Sequence, residues 1–340
     1  MLRYIQVEIT RDCGERCIMC PHRKWKISGR MSLETYTRLS GIFSRFDVVY
    51  LQGWGEPLLH PDFREMVLIA EEKAKTGFTT SGRRLKEFAK FVSEHIDYLL
   101  VSFSGVSSEA RGVSFDVAME GVRAVAEEKR VEGGKVRIGV SYMLTQESWE
   151  ECVEFVELAA EAGAEYVAFT NLDYVFDEVT DGLRVFGKKE AKEVEKKLEK
   201  AKSLARKLGL QVKAYPLKPE EQPVCEANPH MSAAVSCEGR LYPCIYLALP
   251  FDRITRLFEG EIIQVKPPEF GDATERGAWI EFEKFREYFR RRIVAYNSAF
   301  EKVMCSSPFS AIKMLGEFDE ALSKNPPPPE CRGCYKLYGV

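Results

Sequence analysis

Short β-branched and aromatic runs alternate with longer amphipathic stretches through the first two-thirds of the chain. The pattern predicts strands at Tyr4–Thr10, Val48–Gln52, Phe78–Thr80, Tyr98–Phe103, Val136–Met143 and Tyr166–Thr170. Helical periodicity marks Leu33–Ser44, Phe63–Lys75, Leu85–Glu94, Phe115–Lys129 and Glu147–Ala162 between them. Ser32 ahead of Glu34 and Thr35, and the Pro61-Asp62 pair, read as helix starts. A further helix over Lys188–Leu208 lines Val194, Leu198, Ala201 and Leu208 along one face, and its many charges form a solvated face. Gly209 ends it and Leu210–Tyr215 follows as another strand. Right-handed crossovers return each strand to one sheet, so the alternation predicts an α/β fold, a partial (β/α)6 TIM-like barrel with helices outside.

The rhythm stops after Pro216, where prolines, cysteines and irregular spacing take over. Four consecutive prolines within Asn325–Pro329 form a stiff spacer ahead of the last cysteine pair. The predicted division is a barrel over 1–217 and a small cysteine-rich C-terminal domain over 218–340.

Composition narrows the partners. The 340 residues are 45% hydrophobic and 30% charged, which predicts a sizeable core under a charged surface. Forty-nine Lys and Arg against 52 Asp and Glu give a net charge of −3, and so no electrostatic case for nucleic acid or a membrane surface. No apolar run is long enough to span a bilayer, and Met1-Leu-Arg-Tyr-Ile does not read as an export signal, so a soluble cytoplasmic protein is expected. Amides are scarce, with four Asn and six Gln, a bias that leans towards a thermophile.

Ten cysteines change the picture. In a reducing compartment, clustered thiols more often bind metal or do redox chemistry than form disulfides. Cys13, Cys17 and Cys20 follow directly on the first predicted strand, and in a parallel barrel the loops at the carboxyl ends of strands carry the chemistry. Three thiolates on a four-iron cluster leave one iron open to a ligand. A zinc site with His22 as fourth ligand is the competing account, with Cys20-x-His22 a poor spacing for it.

The C-x-x-x-C-x-x-C spacing after a first strand resembles the radical S-adenosylmethionine (radical SAM) superfamily. The resemblance implies a [4Fe–4S] cluster held by Cys13, Cys17 and Cys20, with S-adenosylmethionine chelated to its open iron. Reductive cleavage then gives a 5′-deoxyadenosyl radical that abstracts hydrogen. Met19 departs from the aromatic residue often found before the last cysteine. Gly53-Trp54-Gly55-Glu56-Pro57 is similar to the family's G-G-E-P segment, with Trp54 at the first glycine position, and these five residues are implied contacts to S-adenosylmethionine. Thr79-Thr80-Ser81-Gly82 resembles the family's T-N-G turn. Thr80, Ser102 and Ser104 join the implied contacts, against a reading as turn-formers.

Several other residues draw notice. Tyr142 and Asn171 end the fifth and sixth strands, where packing or capping competes with a site role. The basic loop His22-Arg-Lys-Trp25-Lys suits an anionic substrate or a reductase as well as it suits plain solvation. His60 and His230 show no partner in the sequence, and Cys152 sits in a predicted amphipathic helix as a core residue.

In the last third, Cys225, then Gly239 to Cys244, then Cys331-Arg-Gly-Cys334 resembles the auxiliary-cluster domains called SPASM, or their shorter Twitch form. The C-x-x-C-x5-C-x3-C run of a full SPASM domain is absent, so the resemblance implies one auxiliary [4Fe–4S] cluster on Cys225, Cys244, Cys331 and Cys334. A zinc ribbon is the alternative. Cys237 and Cys305 are left between ligands and buried thiols.

Members with this layout often act as maturases. A weaker likeness points to the radical enzymes associated with tungsten-containing aldehyde:ferredoxin oxidoreductases. The implied substrate is a peptide, a protein or a pterin-type cofactor, and the implied electron donor is ferredoxin- or flavodoxin-like. A non-catalytic iron–sulfur or zinc protein is the reading of another class. Substrate identity and oligomeric state do not follow from the sequence.

Overall fold

In the computed structural model, residues 2–107, 110–304 and 316–340 are described. Strand β1 (Tyr4–Val7) buries Ile5 and Val7 on the face towards the helices and turns Tyr4 and Gln6 to the other. The same alternation runs through β2 (Val48–Leu51), β4 (Tyr98–Phe103) and β6 (Tyr166–Asn171). β3 (Lys75–Thr80) and β5 (Arg137–Leu144) complete the six predicted strands, each parallel to its neighbour.

The expected seventh strand, β7 (Gln211–Ala214), pairs parallel to β6. At the other edge the sheet takes up β8 (Ser232–Val235), which runs parallel to β1 with Tyr4 beside Ser232, and then antiparallel β9 (Leu241–Tyr242). One hydrogen-bonded sheet of nine strands therefore runs from β7 to β9, across position 218. It is curved. Cys13 beyond β1, Gly53 beyond β2, Thr80 of β3, Ser102 of β4, Met143 of β5 and Leu172 beyond β6 all line one cavity, which a flat sheet could not arrange. The result is a partial α/β barrel whose inner wall is polar.

The helices form where the periodicity placed them. α1 (Leu33–Leu39) is capped by the Ser32 hydroxyl accepting from the Thr35 N–H. α2 (Phe63–Glu71) and α3 (Ala89–His95) follow, then α4 (Phe115–Glu132), which Ser114 caps and Gly133 ends at φ 75°. α5 (Cys152–Glu161) buries Cys152 with Phe155 and Val156, in agreement with a core role. α6 (Glu178–Leu183), which the periodicity did not mark, and α7 (Ala191–Lys207), which it did, complete this layer.

Beyond Pro216 the chain is more regular than its sequence suggests. A β10–β11 hairpin (Ile254–Phe258, Glu261–Val265) precedes the 29-residue helix α8 (Arg276–Met304), and α9 spans Gly316–Lys324. α8 buries Phe282, Phe285 and Phe289, but also Arg286 and Arg292. The Arg292 guanidinium donates to the carbonyls of Pro223, Gln222 and Asn325 and pairs with Glu221 at 2.6 Å, tying two segments to the helix. Among the described residues no helix is long and apolar enough to cross a membrane. Cys305 lies outside the described residues.

Candidate active site and cysteine centres

The cysteine loop is pinned at its base. Thr10 bridges to Arg30, Arg11 N–H donates to Gly29 O at 2.7 Å, and Met31 N–H donates to Ile9 O at 2.8 Å. Inside the loop the Cys20 N–H turns back to Cys17 O, and Glu15 takes a two-point contact from Arg83 at 2.6 and 2.9 Å. This places Cys13, Cys17 and Cys20 on the wall of one cavity of about 250 Å³ at the carboxyl ends of the strands.

The same cavity is lined by Gly53, Trp54, Gly55, Glu56, Thr80 and Ser102, all singled out in the sequence. Pro57 lies outside the lining and opens a buried turn over Pro57–Leu59. Ser104 is buried beside a small separate void with Ser114 and Arg111, so it is not brought to the cysteines.

The glycine-rich turn works by close approach. A side chain at Gly55 would stand 2.5 Å from the Thr10 carbonyl, and one at Gly53 would collide with Glu8. The glycines are thus needed where the turn packs on the cysteine loop and β1. Glu56 spends its carboxylate on three donors: Thr80 Oγ1 at 2.8 Å, Ser81 N–H at 2.7 Å and Leu58 N–H at 3.2 Å. The Glu56 N–H donates to Asp12 O at 2.9 Å, which closes the turn against the loop.

Trp54 fills the first-glycine position with three clasps. Its N–H donates to Glu8 Oε1 at 2.9 Å, its carbonyl lies 3.0 Å from His22 Nε2, and its indole N–H donates to Ile245 O at 3.0 Å. The ring packs on Tyr174 and Tyr246, with centroids 5.3 and 5.6 Å away. Glu8 is fully buried and also accepts from Arg11 Nε at 2.7 Å, while Arg11 makes a two-point contact to Glu238. Burial lifts the Glu8 carboxyl to about 7.

Burial pushes the Cys13 thiol up to about 12, with Glu56, Cys20 and Cys17 adding to it, and pushes Cys20 up to about 11 with help from Cys17. The three thiols are thus close neighbours on one cavity wall, the donor type that a shared inorganic cluster needs. One residue escaped the sequence reading. Arg111 lines the cavity facing Cys20, and its buried Nε has no hydrogen-bond partner. No signal in its surroundings marks it, because it sits in a loop after β4 with no motif.

A second cysteine centre assembles from distant segments. Cys225, Cys244, Cys331 and Cys334 all line one small cavity of about 20 Å³ with Arg256 and Lys336. Burial raises Cys225 to about 12 and Cys244 to about 11, and the neighbouring thiols add to the rise in Cys225, Cys244 and Cys331. Four thiols lining one small cavity fit a metal centre in donor type. Among the described residues no three thiol, imidazole or carboxylate groups already converge on a single ion. In a cubane cluster each thiolate takes a different iron, so the ligands need not meet at one point.

Cys237 belongs to neither group: its thiol lies by Glu238 at 3.4 Å and packs against Gly29 and Arg11. The remaining candidates serve structure. The Tyr142 hydroxyl donates to Ser148 O, the Asn171 amide donates to Pro216 O, and His60 Nε2 lies 2.9 Å from Met31 O. Trp25 packs between Phe176 and Phe251, and Arg23 pairs with Asp177.

A parallel α/β barrel with three thiols at the carboxyl ends of its strands, beside a G-x-G-E-P turn, defines a class. Residues 7–159 match the radical SAM superfamily, so this stretch of the chain carries a radical SAM domain. It is 24% identical over 301 residues to the tungsten-containing aldehyde ferredoxin oxidoreductase cofactor-modifying protein of Pyrococcus furiosus, with 83% of each chain covered. Among solved structures it is similar to Streptococcus suis SuiB bound to S-adenosylmethionine, at a TM-score of 0.58 and 15% identity, covering 83% of this chain and 66% of that one. SuiB bound to the precursor peptide SuiA gives a TM-score of 0.57 at 15% identity, covering 100% and 71%. Native anSMEcpe with bound AdoMet gives 0.58 at 14%, covering 99% and 88%. The chain thus spans about two-thirds of the SuiB length, and these likenesses establish the fold.

Proposed function

We propose that the chain cleaves S-adenosylmethionine reductively at the Cys13–Cys17–Cys20 wall and uses the resulting radical to abstract hydrogen from a substrate. In this reading it is a maturase that modifies a cofactor or protein of a tungsten oxidoreductase. The observation that carries the chemistry is the meeting of three cysteines, the Gly53–Glu56 turn and Ser102 around one cavity. The name of the Pyrococcus furiosus relative supports the choice of substrate.

A [4Fe–4S] cluster with one uncommitted iron supplies the electron and the chelating corner for the methionine end of S-adenosylmethionine. Cys13, Cys17 and Cys20 are its holders. Arg111 brings an unpaired guanidinium to the same cavity, placed to take the carboxylate of the methionine moiety. Glu56 is fully engaged with the backbone and Thr80, so it orients the turn. The Ser102 hydroxyl accepts from Ser141 at 3.3 Å and keeps its own proton for a ligand. Met19, Met143 and Leu172 supply an apolar wall that excludes water from a reactive intermediate.

We further infer that Cys225, Cys244, Cys331 and Cys334 hold one auxiliary [4Fe–4S] cluster, and that a ferredoxin- or flavodoxin-like protein supplies electrons. The barrel over 1–217 and the cysteine-rich part over 218–340 are the functional divisions of this reading. A peptide substrate is the second reading, favoured by the fold shared with SuiB, which has been solved with its precursor peptide.

The test is anaerobic reconstitution followed by dithionite reduction and addition of S-adenosylmethionine. The expected result is 5′-deoxyadenosine from protein carrying about eight irons. Stoichiometric zinc without iron, or an intact cluster that yields no 5′-deoxyadenosine, would overturn the reading.

A further inference from the structure

Beneath the cysteine cavity the barrel holds a larger chamber of about 640 Å³, within the size range of sites that enclose small molecules. It is walled by the inner faces of β1, β2 and β8 and by the segments around Asn228 and Cys244. Gln52 and Tyr246 line both spaces and form the partition between them. Cys244 faces both the chamber and the four-cysteine pocket, so the chamber lies between the two centres. The exposed pair Arg3 and Asp47 stands at its outer rim.

The charges of this wall are already spent on each other. Its four ionic residues form two pairs: Arg3 with Asp47 at 2.7 Å, and Lys336 with Glu226 at 3.2 Å. Lys336 is further held by Asp173 at 2.6 Å, which in turn accepts from the Tyr246 hydroxyl at 2.8 Å. No cation is left over for a phosphate or carboxylate, and no anion for an amine.

Unused capacity is concentrated in amides. The Gln6 side chain makes no hydrogen bond among the described residues. Gln52 accepts from Thr79 at 3.1 Å but its amide N–H groups are free. Asn228 Oδ1 is buried without a partner, on a residue held at φ 47°. The whole chain has only four Asn and six Gln, and three of these ten meet in this one wall. The Tyr4 ring stands beside them with a hydroxyl that is likewise unpaired.

We propose that this chamber binds the substrate, and that the substrate end it holds is an uncharged planar heterocycle edged with alternating donors and acceptors, of the lactam kind. Carboxamides offer one donor edge and one acceptor each, which complements such an edge. The Tyr4 and Tyr246 rings offer faces for stacking. Gln6, Gln52 and Asn228 are then the specificity-determining residues, and the part of the ligand to be modified reaches past Gln52 and Tyr246 towards the cysteines. This deepens the cofactor-modifying reading above and rests on it.

The test is equilibrium dialysis of neopterin against the anaerobically reconstituted protein with S-adenosylmethionine present. Saturable binding is expected, weakened roughly tenfold in Gln6→Leu and in Asn228→Gly, each at an unchanged melting temperature. Absence of binding to the parent protein, or equal binding by both variants, overturns the proposal. So does displacement of neopterin failing while an uncharged blocked hexapeptide binds with the same Gln6 dependence, because that assigns the chamber to a peptide. The same samples are assayed for 5′-deoxyadenosine. Its absence strikes the radical reading alone, since dialysis reports on the chamber whether or not S-adenosylmethionine is cleaved.

Discussion

The two cysteine centres use the same parts with opposite freedom. Each sets an arginine whose buried Nε lacks a partner beside its thiols: Arg111 by Cys20, and Arg256 by Cys244 and Cys331. Around the first group lies a cavity of about 250 Å³, and around the second about 20 Å³. Arg256 is also fixed by two bonds, to Glu330 O at 2.8 Å and Arg332 O at 2.9 Å, which hold the loop that carries Cys331. Arg111 is left available to a ligand. On the reading proposed above, the first set of thiols opens onto a ligand cavity, whereas three members of the second are enclosed and only Cys244 also borders the larger chamber.

That contrast can be broken most sharply at the ligands. Cys17→Ala is expected to reduce 5′-deoxyadenosine formation to background, and unimpaired cleavage would remove Cys17 from the open cluster. Cys331→Ala is expected to spare cleavage, to block net turnover and to lower the iron content by about half. Normal product from that variant would take the second centre out of the reaction.

The arginines give a smaller and more discriminating pair. Arg256→Met should destabilise the protein by about 1 to 2 kcal/mol, read by chemical denaturation, because two carbonyls of the Cys331 loop lose their donor. Arg111→Met should leave stability within about 0.5 kcal/mol while weakening S-adenosylmethionine binding roughly tenfold in calorimetry. Exchanged outcomes would reverse the assignment of open and closed centres.

The most gradual effect is a pH slope. Glu8 binds its proton more tightly folded, at about 7, than in the unfolded chain at 4.5. Between those values the folded state carries the extra proton, so stability falls as pH rises, by up to about 3 kcal/mol across the window. Glu8→Gln should flatten that slope in melting curves taken between pH 5 and 7. An unchanged slope would show that Glu8 is already ionised beside Arg11 throughout.

Much of the barrel was legible because its signals are local. Alternation in Tyr4–Val7 and Tyr98–Phe103, and caps such as Ser32 and Ser114, act within a few residues. The cysteine loop was legible for the same reason. Helix α8 was not, since Arg286 and Arg292 interrupt its apolar face, and the distant groups that receive them, His230 O and the Glu221 carboxylate, are not signalled by the local sequence. The pairing of β8 with β1 was equally hidden, as four small residues, Ser232 to Val235, carry no sign of which edge they join. Arg111 was missed because its role depends on a cavity that exists only after folding. Glycines 53 and 55 were noticed for a ligand's sake, whereas their neighbours are Glu8 and the backbone of Thr10 to Asp12.

The union of β1 with β8 also sets a schedule for synthesis. Tyr4 leaves the ribosome more than two hundred residues before its partner Ser232. At about 5 to 20 residues per second, one flank of the first strand stays unpaired for on the order of ten to forty seconds. Glu238, which anchors Arg11 at the foot of the cysteine loop, arrives only after that. A nascent chain halted before Ser232 therefore presents a bare strand edge to its surroundings, and is expected to recruit a chaperone that the released protein no longer holds.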